Sequence, residues 1–119
     1  AARKARPEHA SLPDDALIFC SFGDASANHS TAQGAFNTAQ WTAYQSHPLP
    51  ILFCCEDNGI GISTKTPDGW IAASFSNRPG LRYFHANGLD IFETYRVAQQ
   101  AETAPVAHRH DFLRPFMST

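Results

Sequence analysis

Two apolar runs set the frame of this chain. Ala16-Leu17-Ile18-Phe19-Cys20-Ser21-Phe22 is the first, and Ile51-Leu52-Phe53-Cys54-Cys55 is the second. Short apolar runs without strict alternation predict strands buried on both faces of a parallel sheet. Each run stops at an acidic, small-residue turn: Gly23-Asp24-Ala25-Ser26 after the first, Glu56-Asp57-Asn58-Gly59-Ile60 after the second. Between them Ala32, Ala35, Phe36, Ala39 and Ala43 recur at helical spacing, which predicts a helix over residues 31–46. Ser30 or Thr31 suits its N-cap, and Pro48 and Pro50 end it. The stripe is mostly alanine with Gly34 at its edge, so the helix backbone can approach a sheet or a partner helix closely.

Downstream the pattern loosens. Residues 64–80 hold Pro67, Gly69, Pro79 and Gly80 and predict a long loop with one short turn of helix. A third strand is expected at residues 81–85, then a turn at Asn87-Gly88. Asp90 and Glu93 have capping-box spacing, with Asp90 accepting an amide bond and Glu93 reaching back. The helix they open should run to residue 102 with Ile91, Tyr95 and Ala98 on one face. A fourth strand is expected within residues 105–110. The order is β-α-β-loop-β-α-β, an α/β class with a parallel sheet and flanking helices joined by right-handed crossovers. Residues 1–14, basic and then polar with Pro7 and Pro13, predict an N-terminal arm, and residues 15–119 a single domain.

Composition narrows the function classes. The chain has 119 residues, 43% hydrophobic and 17% charged, with a formal net charge of −2. That balance argues against general attraction to nucleic acid or an anionic membrane surface. No apolar run reaches the length of a membrane span, and no signal peptide is expected before the first strand. Cys20, Cys54 and Cys55 lie inside apolar runs without a C-x-x-C spacing, so they are read as buried thiols rather than a disulfide framework or zinc site. Free thiols suit reducing surroundings, and a cytoplasmic location is expected.

The two turns carry the chemistry. Ligands of open α/β sheets bind at the carboxyl ends of strands, where such turns meet. Asp24 and Asn58 offer oxygen ligands, and Mg²⁺ takes oxygen ligands and bridges them to phosphates. The bland reading of Asp24 is a carboxylate facing the dipole of the following helix. Asn58 at the end of the next strand tips the balance toward a shared cation. Ala25 and Ser26 present amides to an anion at the start of a helical turn. Asn58-Gly59-Ile60-Gly61 either exposes carbonyls to the cation or is a plain strand-to-loop turn that uses glycine for positive φ. Glu56 is read as a ligand to a metal-bound water or as a loop cap.

This pattern resembles the thiamine diphosphate fold family, whose signature is Gly-Asp-Gly followed at a distance by Asn-Asn. It is most similar to the alpha-type subunit or domain of the 2-oxo acid dehydrogenase decarboxylase component, of branched-chain type. The resemblance covers residues 15–103 and includes Gly-Asp-Ala-Ser-Ala-Asn at 23–28, Glu-Asp-Asn-Gly-Ile-Gly-Ile-Ser-Thr at 56–64 and Gly-Leu-Arg-Tyr-Phe-His-Ala-Asn-Gly-Leu-Asp at 80–90. It implies a partial thiamine diphosphate-binding fold with Mg²⁺ held by Asp24, Asn58 and the carbonyl of Ile60, and the diphosphate approached by Gly23, Ala25 and Ser26. Two positions depart from the family pattern: Ala25 stands where it has its third-position glycine, and Asp57 where it has the first asparagine. The family unit is several times longer than this chain, so the resemblance implies a fragment. The ring-activating glutamate of the family comes from a partner domain and has no position here, so no residue is assigned a catalytic role and the isolated chain is expected to be inactive.

The resemblance also implies partners: a homo-oligomer, in the first place a dimer, and a beta-type partner subunit. The competing reading is a non-catalytic fold fragment acting through oligomer contacts. A different thiamine diphosphate lyase or a transketolase fits the 56–64 and 80–90 stretches less well. Among the other polar and aromatic residues, His29 reads as a surface histidine near the first turn and His85 as a half-buried strand residue. His108 and His110 share a strand face without a third metal ligand. Trp41, Tyr44 and Trp70 read as packing residues, and Phe75, Arg78 and Arg82 as candidates to shape an interface.

Overall fold

A computed structural model describes residues 16–47, 49–103 and 114–118. The elements in chain order are β1 (Ile18–Gly23), a 3₁₀ turn (Ala25–Asn28), α1 (Ser30–Tyr44), β2 (Ile51–Glu56), β3 (Ile60–Gly61), β4 (Thr64–Lys65), α2 (Trp70–Phe75), β5 (Leu81–His85), α3 (Ile91–Thr103) and β6 (Arg114–Ser118). Four strands form one all-parallel sheet in the order β1-β2-β6-β5. Strands β3 and β4 form a separate antiparallel hairpin. In the stretch expected to be a loop with one short turn of helix, residues 64–80, β4 takes the first two positions and α2 is the short helix, while β3 lies just before it. The expected strand at 105–110 and the pair His108 and His110 lie outside the described residues, as does the arm at 1–14.

The helices are placed by handedness. The chain moves from β1 to β2 in one direction across the sheet, and from β5 back toward β2 to form β6. Right-handed crossovers running in opposite directions put their helices on opposite faces. Side chains of β2 alternate accordingly. Phe53 and Cys55 join Phe36 and Ala39 of α1 and Ile71 and Phe75 of α2 in the larger core, which also holds Ala27 and Leu81. Cys54 meets Val97 of α3 and Ala86 on the other face. Phe36 is the hub of the larger core, with ring centroids of Phe22, Phe53 and Phe75 at 5.3, 5.1 and 5.0 Å. Three such aromatic contacts each add about 0.5–1.5 kcal/mol beyond burial.

Several expectations change here. β1 is an edge strand and not a doubly buried one: Ile18 and Phe19 are 53% and 60% exposed, and Cys20 is exposed as well. An apolar run does not distinguish a central strand from an edge. His29, not Ser30 or Thr31, caps α1, its Nδ1 accepting from the Thr31 amide at 3.2 Å. Trp41 and Tyr44 lie on the outer side of α1, 66% and 76% exposed. On α3, Asp90 Oδ1 accepts from the amides of Phe92 and Glu93, as its half of the capping box requires. The return bond from Glu93 is not made, because the Asp90 amide donates to the Asn87 carbonyl at 2.9 Å. The helix buries Val97 and Ala101, whereas Ile91 and Tyr95 are 75% and 64% exposed. Phe75 is fully buried, and Arg78 lies 4.4 Å from its ring centroid. The Arg78 guanidinium also donates to the Gln33 side chain at 2.7 Å, tying the turn after α2 to α1.

Candidate functional site

Parallel pairing of β1 and β2 aligns Gly23 with Glu56. The chain therefore leaves both strands at the same level on the carboxyl edge of the sheet. The Asp24 amide extends the contact by donating to the Glu56 carbonyl at 3.2 Å. Asp24 and the turn that begins at Asp57 are thus neighbours, although 33 positions apart in numbering.

Asp24 is 1% exposed. It stands at the N-cap position of the 3₁₀ turn, yet its side chain makes no capping bond. Its Oδ2 is fully buried and has no hydrogen-bond partner among the described residues. Burial of a polar atom without a partner costs about 1–3 kcal/mol, and more when the group is charged. The bland reading, a carboxylate serving the turn behind it, does not account for this atom. An external cation would satisfy it.

The second turn is rigid for separate local reasons. Asn58 is exposed, and its Oδ1 accepts from the Ile60 amide at 3.0 Å, closing an Asx-type turn. Gly59 has a φ of +72°, and its carbonyl accepts from Thr66 at 3.1 Å. Ile60 begins the hairpin, paired with Lys65. Gly61 is required by space: a Cβ there would lie 2.5 Å from the Ala25 Cβ. The alanine at position 25 is accommodated by the bare Cα of Gly61. Ala25 is not among the residues with positive φ, so its methyl carries no backbone strain.

The electrostatics are acidic. Asp57 has its pKa raised by burial and next by the charge of Asp24, while His85 pulls it down and Asp68 pushes it up. Cys55, fully buried, is pushed up to about 12 by burial and by the charges of Asp57 and Asp24. Cys54 is also raised, by burial and then by Glu56. Both thiols are neutral at physiological pH and serve as small apolar core residues. Glu56 is exposed, and its main-chain carbonyl is what meets Asp24. His85, expected to be half-buried, is exposed at the end of β5.

Beside this edge lies a cleft of about 320 Å³ lined by Asp57, Asn58, Gly59, Thr66, Pro67, Asp68 and Gly69. The residues from 66 to 69 escape sequence reasoning. Thr-Pro-Asp-Gly is a turn signature, but nothing in it says that the turn folds back over the end of β2. Trp70 belongs to the same region, its Nε1 donating to Asn28 Oδ1 at 3.0 Å across the two turns. No cluster of three or more histidine, cysteine, aspartate or glutamate side chains suited to a metal occurs among the described residues. A cation here would draw on amide and main-chain oxygens besides a carboxylate.

A parallel sheet with an unsatisfied buried acid at its carboxyl edge fits a known class. Residues 8–117 match the family described as the dehydrogenase E1 component, and the chain belongs to that family. Among its relatives is the mitochondrial 2-oxoisovalerate dehydrogenase subunit alpha. The mouse protein is 29% identical over 100 residues, covering 82% of this chain and 22% of that protein. The human protein is equally identical over 100 residues, covering 82% of this chain and 21% of that protein. The mitochondrial pyruvate dehydrogenase E1 component subunit alpha of Saccharomyces cerevisiae is 31% identical over 94 residues, 75% of this chain and 20% of that protein. The chain spans about a fifth of the length of the curated relatives it matches. The expectation of a cytoplasmic location is overturned, since these relatives are mitochondrial by name. Free thiols report reducing surroundings and carry no compartment address.

Proposed function

We propose that this chain anchors thiamine diphosphate through Mg²⁺ in the alpha-type subunit of a mitochondrial 2-oxo acid dehydrogenase of branched-chain type. The observation that carries the reading is the buried Asp24 carboxylate, whose Oδ2 meets no hydrogen-bond partner among the described residues. Residues 15–119 are read as one partial thiamine diphosphate-binding domain. Asp24 supplies the charged ligand, Asn58 an amide oxygen and Ile60 its carbonyl. Gly23, Ala25 and Ser26 line the approach to the diphosphate. When bound, thiamine diphosphate supplies the carbanion chemistry by which a 2-oxo acid loses carbon dioxide.

What the chain itself contributes is position and charge. The Asx-type turn at Asn58 fixes residues 58–60, and the hairpin fixes Ile60. The burial of Asp24 removes water from one side of the cation. No group here activates the cofactor ring, so that task falls to a partner, a beta-type subunit. A two-fold dimer of this chain is the simplest further assembly.

Thermal unfolding of the chain with and without Mg²⁺ and thiamine diphosphate tests the reading. Ligand at a hundredfold excess over its dissociation constant contributes about 2.7 kcal/mol, a rise on the order of 10 °C for a domain of this size. Asp24→Asn should abolish the rise. If the wild-type chain shows none, the anchoring role is wrong. Self-association without any ligand effect would favour the non-catalytic reading. A second outcome is expected in an activity assay: the isolated chain does not decarboxylate a branched 2-oxo acid. Turnover on the order of 1 s⁻¹ or faster would overturn the assignment of ring activation to a partner.

A further inference from the structure

The acid at position 57 changes what this edge can bind. The family pattern places asparagine there, a neutral dipole. Here the register sets Gly23 against Glu56, the Asp24 amide reaches the Glu56 carbonyl at 3.2 Å, and Asp57, the residue that follows β2, is a second carboxylate. One member of the pair is 1% exposed, and its Oδ2 has no hydrogen-bond partner among the described residues. The other is half-buried at the mouth of the adjoining cleft. Two carboxylates at neighbouring strand ends repel, and a cation between them converts that repulsion into attraction.

We propose that Asp24 and Asp57 together form a two-carboxylate site that takes a divalent cation before, and independently of, the diphosphate. The inference rests on the reading of Asp24 as a metal ligand and goes beyond it. With one carboxylate, a divalent cation keeps a net positive charge, and the diphosphate is needed to complete both its charge balance and its oxygen shell. With two, the charge is balanced by the protein alone. The metal then binds first, and the diphosphate gains less from joining it.

Titration of the full chain with Mn²⁺, following the loss of the free-ion electron paramagnetic resonance signal, separates these cases. It is done without and with thiamine diphosphate, on the wild type and on Asp57→Asn, a substitution of nearly equal shape. Without the diphosphate, the wild type should bind Mn²⁺ at least about tenfold more tightly than Asp57→Asn, the equivalent of one carboxylate charge near the ion in a largely aqueous setting. Thiamine diphosphate should then tighten Mn²⁺ binding more in Asp57→Asn than in the wild type. Equal Mn²⁺ affinities in the two proteins, or wild-type binding only when the diphosphate is present, would overturn the proposal while leaving the anchoring role intact. Failure of the wild type to bind Mn²⁺ under either condition would sink both. Circular dichroism of Asp57→Asn checks that its fold is retained.

Discussion

At the scale of single residues, the site is defined by what is missing around an atom and by what fills a gap. Asp24 Oδ2 lacks a partner among the described residues, and the Ala25 methyl occupies space that Gly61 leaves open. Gly61→Ala should therefore cost about 1–3 kcal/mol through overpacking. Ala25→Gly in the same chain should recover much of it, because the two positions share one contact. A double-mutant cycle by thermal unfolding measures the coupling, and simple additivity would show that the hairpin adjusts elsewhere. The thiols give a second test. Cys20 is exposed, while Cys54 and Cys55 are buried. In the native chain one thiol should react quickly with a thiol reagent, and all three after denaturation. The Cys55 thiol is raised from 9.0 to about 12, so the folded state holds its proton where the unfolded state releases it. Its contribution is fully present below about pH 9 and is lost as pH rises toward about 12. Melting temperature should fall over that alkaline interval, and less steeply in Cys55→Ala.

At the scale of elements, the legible features were those with local causes. The apolar run of β2, the alanine spacing of α1 and the Asp90 cap each state their structure in consecutive residues, and the observed bounds lie within about two residues of the expected ones. Failures came where the cause is distant. Whether β1 is central or at an edge depends on what pairs with it. Which stripe of α3 is buried depends on its rotation against the sheet, and Val97 and Ala101 were chosen over the bulkier Ile91 and Tyr95. Within the candidate site, the sequence singled out Asp24, Asn58 and Ile60 but treated Asp57 only as a departure and left Asp68 unremarked. Long-range folding of the 66–69 turn brings Asp68 to the cleft. The exposed stripe of α3, with Phe92 85% exposed beside Ile91 and Tyr95, yields a prediction. Ile91→Glu with Phe92→Glu should change the melting temperature little, since exposed positions away from caps and cores contribute within about 0.5 kcal/mol each. If the chain dimerises through this helix, light scattering at micromolar concentration should show the wild-type dimer and a monomeric variant. An unchanged dimer would move the contact elsewhere, and a monomeric wild type would remove the dimer.

At the scale of the whole molecule, the sheet joins two halves. β1, α1 and β2 form one, and β5 and α3 begin the other. The loops leaving β1 and β2 lead to helices on one face, and the loop leaving β5 leads to α3 on the other. Both acidic turns therefore lie on the carboxyl edge of the sheet within the first winding, and carboxyl edges are where α/β sheets hold ligands. Within the sheet the halves are joined by β6, which pairs with β2 on one side and β5 on the other. That placement has a consequence for biosynthesis. A nascent chain emerges in order, so the two halves are complete before the strand between them exists. Until Arg114–Ser118 is available, β2 and β5 each present an open ladder of main-chain donors and acceptors to whatever is near. The growing polypeptide thus passes through a stage with two sticky seams, when a chaperone or a neighbouring nascent strand competes for the gap. Closure is a single late insertion, and a translation stop just before Arg114 would release a chain whose halves have no strand to join them.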